Sequence, residues 1–254
     1  MLGVKAREIL QSLNVKIYSD SADLNSIAQL SQYDFVKGVT TNPTLMKKAG
    51  VTDYEWFARK ALELVKALPI SFEVFADDLA SMEAQAAYIA TWGKNVNVKI
   101  PVTNTKGEFC GPIIKRLAAR GVKVNVTAIM TIEQIKQLLP CFSKDASAIL
   151  SVFAGRIADT GVDPLPLLKS IKPLLQAHPN IELLWASTRE VLNIFHAESA
   201  GCDIITVGPE FLKKLDILGK DLESFSLETV LMFFNDASAA GYTIKIPVLE
   251  VCDN

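Results

Sequence analysis

Histidine is the scarcest chemistry-bearing residue of this 254-residue chain, with two copies, His178 and His196. Without a Cys/His cluster, a zinc site of the ordinary ligand type is not expected. His178 stands before Pro179 in a turn and His196 in a helical pattern, so a Ser-His-Asp arrangement finds little support. Cysteine is nearly as sparse: Cys110, Cys141, Cys202 and Cys252 are scattered and form no CxxC pair. That reads as reduced thiols of a cytoplasmic protein and not as a disulfide framework. No apolar run is long enough to cross a bilayer, and charges break the opening Met1-Leu2-Gly3-Val4-Lys5-Ala6-Arg7-Glu8 too early for a secretory h-region. The 26 basic and 28 acidic residues leave a net charge of −2 with no basic run. Nucleic acid and membrane surfaces are therefore not expected as partners. Chemistry must rest on Lys, Asp, Glu, Asn, Thr and Arg.

What is plentiful is apolar surface, with half of the residues hydrophobic, enough for a large core. Short Val/Ile-rich runs alternate with amphipathic helical patterns. Eight strands are predicted: 15–20, 38–41, 70–75, 96–100, 122–126, 149–153, 181–186 and 204–207. Each is mostly apolar on both faces, as parallel strands covered by helices must be. Helix starts lie between them. Thr52-x-x-Glu55 reads as a capping box, ahead of an apolar face of Phe57, Ala61, Leu64, Val65 and Leu68. Pro112 and Asp163-Pro164 suit first helical turns, and Thr131 can cap the helix 132–139. An extra helix is expected over 6–13, and a C-terminal helix over 226–240, laid on the barrel by Val230, Phe233, Phe234 and Ala237. Eight βα units argue for one α/β domain spanning 1–254, a (β/α)₈ TIM barrel. A doubly wound open sheet is the alternative, but it would carry a Gly-rich turn after the first strand, where this chain has Ser19-Asp20-Ser21.

Barrel enzymes place reacting groups at the C-terminal ends of their strands. Those ends supply Asp20, Thr41, Asn42, Glu73, Lys99, Asn125, Thr127, Ser151, Arg156, Ser187, Arg189 and Gly208. Lys99 ends an apolar strand stopped by Pro101. A buried lysine favours the neutral, nucleophilic amine, although the same side chain could snorkel to a rim carboxylate. Arg156 and Arg189 follow strands six and seven and suit a phosphate, although loop arginines more often meet water or acids. Asp20 could be a general acid/base or a helix N-cap. Glu73 needs partners if it is buried. Asn42 before Pro43 could be a turn residue only, and His196 reads as packing.

Taken together, the segments YSDSA (18–22), GVTTNP (38–43), SFEV (71–74), VKIP (98–101), NVT (125–127), SVFAGR (151–156), ASTR (186–189) and AGCDIIT (200–206) resemble the transaldolase family, from first strand to eighth. The resemblance implies a Schiff base on Lys99, with Asp20 as acid/base at the C4 hydroxyl of a ketose donor. It implies that Glu73 and Thr127 hold a proton-shuttling water. Thr41, Asn42, Asn125, Ser151 and Ser187 become substrate positions, and Arg156 and Arg189 a phosphate clamp. It further implies sugar-phosphate substrates, no metal or organic cofactor, a homo-oligomer, and a place in the pentose phosphate pathway. The relatives that act as fructose-6-phosphate aldolases tend to carry an amide in place of the glutamate and a Tyr shortly after strand five. Here those positions are Glu73 and Met130. Both favour transfer, although transaldolases commonly have Phe where this chain has Met130. The alternatives are a lyase releasing dihydroxyacetone and a barrel that binds sugar phosphates without catalysis.

Overall fold

A computed structural model describes residues 4–246. Eight parallel strands close into a barrel in chain order, β8 returning to β1. They are β1 Lys16–Asp20, β2 Val36–Thr40, β3 Ile70–Glu73, β4 Val96–Pro101, β5 Val124–Ile129, β6 Ala148–Val152, β7 Ile181–Trp185 and β8 Ile204–Val207. The helices are α1 Val4–Gln11, α2 Leu24–Leu30, α3 Pro43–Lys48, α4 Tyr54–Leu64, α5 Leu79–Ala90, α6 Gly111–Ala119, α7 Ile132–Leu138, α8 Ala154–Asp159, α9 Leu165–Ile171, α10 Leu192–Ser199, α11 Pro209–Leu212 and α12 Leu222–Ala239. The chain divides into two compact units, one ending at Asp216 and one beginning at Ile217. The expected eight strands are all present, with shifts of one or two residues at most ends, as strand ends usually allow.

Local chemistry accounts for the helix starts. Asp23, Asn42, Asp53 and Asp78 each accept a backbone N–H three residues on, at the N-termini of α2, α3, α4 and α5. Thr131 forms a full capping box with Gln134 on α7. Two expectations are corrected here. The cap of α4 is Asp53 and not Thr52, because the Asp53 carboxylate reaches Trp56 N at 2.9 Å. The C-terminal helix begins four residues early, at Leu222, where Asp221 caps it. None of its residues is buried, and Val230, Phe233 and Phe234 are exposed.

Outward-facing strand residues such as Ile17, Phe72, Val98, Ile100, Val126, Leu150 and Leu183 are buried. Strand alternation turns Lys16, Tyr18 and Asp20 to the other face, into the barrel. Tyr18 packs there with Ile149, Leu184, Ala186 and Ile204. Its ring lies so close to β2 that a Cβ on Gly38 would stand 2.6 Å from it. A bare backbone at residue 38 is therefore what admits the ring. Gly38→Ala should overpack the interior by about 1–3 kcal/mol, lowering the melting temperature by about 2–10 °C. Tyr18→Leu in the same chain should recover most of that loss. Equal melting temperatures for Gly38→Ala and the native protein would contradict this account of the interior.

Candidate active site

The strands end in one mouth. A cavity of about 470 Å³ opens there, lined by Asp20, Asn42, Glu73, Lys99, Thr127, Ser151, Arg156, Ser187 and Arg189 among others. Register explains the central contact. Glu73 and Lys99 are direct partners across β3 and β4, and their side chains point the same way. Lys99 is only 6% exposed. Its Nζ lies 3.2 Å from Glu73 Oε2 and donates to the Thr41 carbonyl at 2.9 Å. The lysine therefore does not snorkel past the rim. It stops inside the barrel on a carboxylate that is itself mostly buried.

Asp20 stands across the mouth at the end of β1. It is not a helix cap, since Asp23 does that work for α2. Thr40 Oγ1 donates to Asp20 Oδ1 at 2.8 Å, and Asn42 Nδ2 reaches Oδ2 at 3.3 Å. Asn42 is thus more than a turn residue: its Oδ1 caps α3 through Leu45 N while its amide nitrogen faces Asp20. Thr206 on β8 meets the Thr40 hydroxyl in turn. Burial pushes the Asp20 carboxyl above the usual carboxylate range. Lys99 and the Thr40 and Asn42 hydrogen bonds act against that shift, and Glu210 adds to it.

Two predicted substrate positions sit behind the cavity wall. The Thr41 hydroxyl is fully buried and donates to the Ser71 carbonyl at 2.8 Å, so Thr41 serves the site through its backbone carbonyl. Asn125 is also fully buried. Its amide donates to Ser71 Oγ at 3.1 Å and accepts from Ser151 Oγ at 2.7 Å. It fixes Ser151, which does line the cavity. Thr127 Oγ1 is buried with no hydrogen-bond partner from the protein. It lies within the stretch, between Val126 and Ile129, where the pairing of β5 with β6 shifts register, and its neighbour Ala128 takes φ 61°. Such a bulge re-aims side chains at a strand end.

The arginines behave differently from each other. Arg156 on α8 lies 5.8 Å from the Phe153 ring and stays exposed. Arg189 is gripped by Asp159 through Nε at 3.0 Å and Nη2 at 2.5 Å. The loops that carry them touch closely. A Cβ on Gly155 would stand 1.5 Å from the Ser187 carbonyl oxygen, and Ser187 itself has φ 67°. Only glycine fits at residue 155, and backbone strain at Ser187 is part of how the mouth is shaped.

Strand-end reading did not single out Thr40, Thr206, Lys48, Phe153 or Glu210, which also line the cavity. Thr40 and Thr206 were within reach of strand alternation, since each sits two residues from an inward neighbour. Lys48 and Glu210 come from helices after the strands and gave no such signal. Among the described residues, no group of three or more His, Cys, Asp or Glu is placed to hold a metal ion.

The molecule is thus a (β/α)₈ barrel with a lysine-centred polar site at the C-terminal mouth. Solved barrels share the fold. The native KDPGal structure superposes with a TM-score of 0.51 at 12% identity, covering 76% of this chain and 82% of that one. Dihydrodipicolinate synthase from Rhodopseudomonas palustris gives 0.52 at 15% identity, covering 93% and 82%. The profile of the Transaldolase/Fructose-6-phosphate aldolase family matches residues 17–246. A probable transaldolase of Nitrosopumilus maritimus is 31% identical over 91% of this chain and 100% of its own length. Those of a Chelativorans species and of Brucella ovis are each 34% identical over 83% of this chain and 94% of theirs. The chain belongs to the transaldolase/fructose-6-phosphate aldolase family of enzymes.

The raised Asp20 carboxyl has a consequence for stability. A carboxyl held above its unfolded value contributes fully at low pH, and that contribution is lost as pH rises through the folded value. The charged form is therefore the costly one near neutrality. Asp20→Asn should melt higher than the native protein at pH 7, and the gap should close as pH falls from the raised folded value down to the ordinary carboxylate value. A gap that widens on acidification would reverse the sign assigned to Asp20.

Proposed function

We propose that this protein is a transaldolase, moving a dihydroxyacetone unit from a ketose phosphate to an aldose phosphate through a Schiff base on Lys99. The observation that carries the reading is the buried Lys99–Glu73 contact facing Asp20 across one cavity. Lys99 passes a proton toward Glu73, and the freed amine attacks the C2 carbonyl. Loss of the resulting hydroxyl as water leaves an iminium. Glu73 and Thr127 hold the water that ferries these protons. The Asp20 carboxylate takes the C4 hydroxyl proton, and the C3–C4 bond breaks. Its electron pair moves through C2 to the nitrogen, giving an enamine and a free aldehyde. An acceptor aldehyde is then attacked by C3, its oxygen regains the proton from Asp20, and water hydrolyses the new iminium.

Asn42 and Ser151, the latter steadied by Asn125, are suited to orient the three-carbon unit, with Ser187 beside the arginines that hold the phosphate. The reading favours transfer over release because the acid at residue 73 is intact and the relatives are named as probable transaldolases. The lyase alternative predicts dihydroxyacetone release at full rate without an acceptor. We extend the reading to a cytoplasmic homo-oligomer of sugar-phosphate metabolism. It is supported by free Cys110, Cys141 and Cys202 and by the exposed Phe225, Leu231, Phe233 and Phe234 of α12, apolar surface of a kind that marks association. Sedimentation velocity reads that association directly. No helix among the described residues is long and apolar enough to cross a membrane.

Borohydride trapping with ketose phosphates tests the chemistry. Lys99→Met should give no trapped adduct. Glu73→Gln should form it about 10²–10⁴ times more slowly. Asp20→Asn should form it and fail to release the aldehyde. An adduct on Lys99→Met would refute the assignment. Arg156→Ala should raise KM for phosphorylated ketoses by about 10- to 150-fold, the equivalent of one charge-assisted hydrogen bond. Arg189→Ala should be worse, since it also leaves the Asp159 carboxylate to repel the phosphate. Equal losses on unphosphorylated ketoses would make both arginines structural.

A further inference from the structure

Glu73 is the last residue of a four-residue strand, and although it pairs in register with Lys99 of β4, its own backbone N–H and carbonyl have no strand to bond to. In β3, Ile70 N donates to Asn95 and Val74 N to Lys99, so the even-numbered residues bond toward β4. Ser71 and Glu73 therefore point their backbone groups toward β2. Ser71 finds partners there, pairing with Thr40 and accepting from Thr41 N at 3.3 Å. Glu73 does not, because β2 ends at Thr40 and the chain turns into α3. A side chain takes the missing strand's place. Tyr54 Oη accepts from Glu73 N at 2.9 Å and donates to the Glu73 carbonyl at 3.0 Å.

Tyr54 is well held for this task. It is the first residue of α4, directly after the capping Asp53. Its ring stands 4.5 Å from Phe75, 5.6 Å from Trp92 and 6.2 Å from Phe72. Its hydroxyl, pushed well above the usual tyrosine range by burial, stays protonated and so remains a donor. Tyr54 does not line the reaction cavity.

We propose that Tyr54 is a positioning residue: its hydroxyl substitutes for an absent strand, fixes the backbone of Glu73, and so sets the Glu73 carboxylate against Lys99. This rests on the role proposed above for Glu73. A side chain near reacting atoms that drifts by about 1 Å can cost on the order of 100-fold in rate. The backbone groups of Glu73 cannot find a replacement partner in β2.

The test uses three variants in the full chain, assayed well below their melting temperatures. Tyr54→Phe keeps the ring and removes both hydrogen bonds. Adduct formation with a ketose phosphate should slow by about 10- to 100-fold, with KM changed less than about twofold. Phe75→Leu disturbs the same aromatic cluster without touching the hydroxyl. It should lower the melting temperature yet keep the native rate of adduct formation. Glu73→Gln is the reference for the double variant. If Tyr54 acts through Glu73, adding Tyr54→Phe to Glu73→Gln should cost less than about twofold more. A native rate in Tyr54→Phe overturns the proposal, and so does full additivity in the double variant. A Phe75→Leu loss equal to that of Tyr54→Phe would likewise overturn it, by assigning the effect to packing. If Glu73→Gln alone keeps the native rate, the role of Glu73 falls, and Tyr54 as its positioner falls with it. That outcome is distinguishable because the single variant reveals it.

Discussion

A lysine and a glutamate, 3.2 Å apart and largely out of water, impose the main constraint on this barrel. An isolated charge of either kind would be very costly inside a protein. The pair is tolerable only if geometry keeps the two together and their remaining hydrogen-bonding capacity is met. Several features of the structure answer that demand. The parallel register of β3 and β4 sets the residues side by side. The Thr41 carbonyl gives Lys99 a second acceptor, and the Thr41 hydroxyl ties that segment to β3. Closure of the barrel fixes all of these at one end, so the energetic penalty of the buried pair is confined to the mouth.

Opposite the pair, polar residues of β1, β2 and β8 converge on a second carboxylate. Asp20 is withdrawn from water but receives Thr40 and Asn42, and Thr206 backs Thr40. The two acids thus have contrasting environments. Glu73 contacts a cation directly, whereas Asp20 is held by neutral donors and pushed up by burial. Divergent environments are what allow two carboxylates to take different roles at one pH. In the mechanism proposed here Glu73 stays with the nitrogen and Asp20 with the C4 oxygen.

The fold was legible because its signals are periodic. Eight runs with both faces apolar, each followed by a helical pattern, leave few architectures open. The site was legible at strand ends, where Asp20, Glu73, Lys99, Thr127 and Ser151 do meet in one cavity. What could not be read was which atoms of a residue work. Thr41 contributes a carbonyl and Asn125 supports a neighbour, distinctions that depend on side-chain direction across a closed barrel. Arg189 looks the same as Arg156 in sequence, yet Asp159, thirty residues away, takes two of its donors. Tyr54 gave no signal at all. Its task arises because β2 is shorter than β3 needs, a mismatch visible only once the strands are paired.

The contact between Lys99 and Glu73 also bears on which half of the proposed reaction the site favours. A neutral amine gives up the charge that pairs with Glu73, but the iminium restores a positive charge on the same nitrogen. A carboxylate already placed against that nitrogen is complementary to the iminium and less so to the neutral amine or the enamine. An amide at residue 73 would offer a dipole in place of that charge. The acid therefore stabilises the charged adducts on either side of the carbon–carbon step relative to the uncharged enamine between them. Escape to free dihydroxyacetone requires that enamine to be protonated at C3 before an acceptor arrives. That protonation also gives an iminium, so the same carboxylate stabilises the product of both exits from the enamine, and the choice between them falls to the supply of an acceptor against that of a proton at C3. Everything that fixes the end of β3 therefore sets how the charged adducts of the proposed reaction are held, whichever way the enamine is resolved.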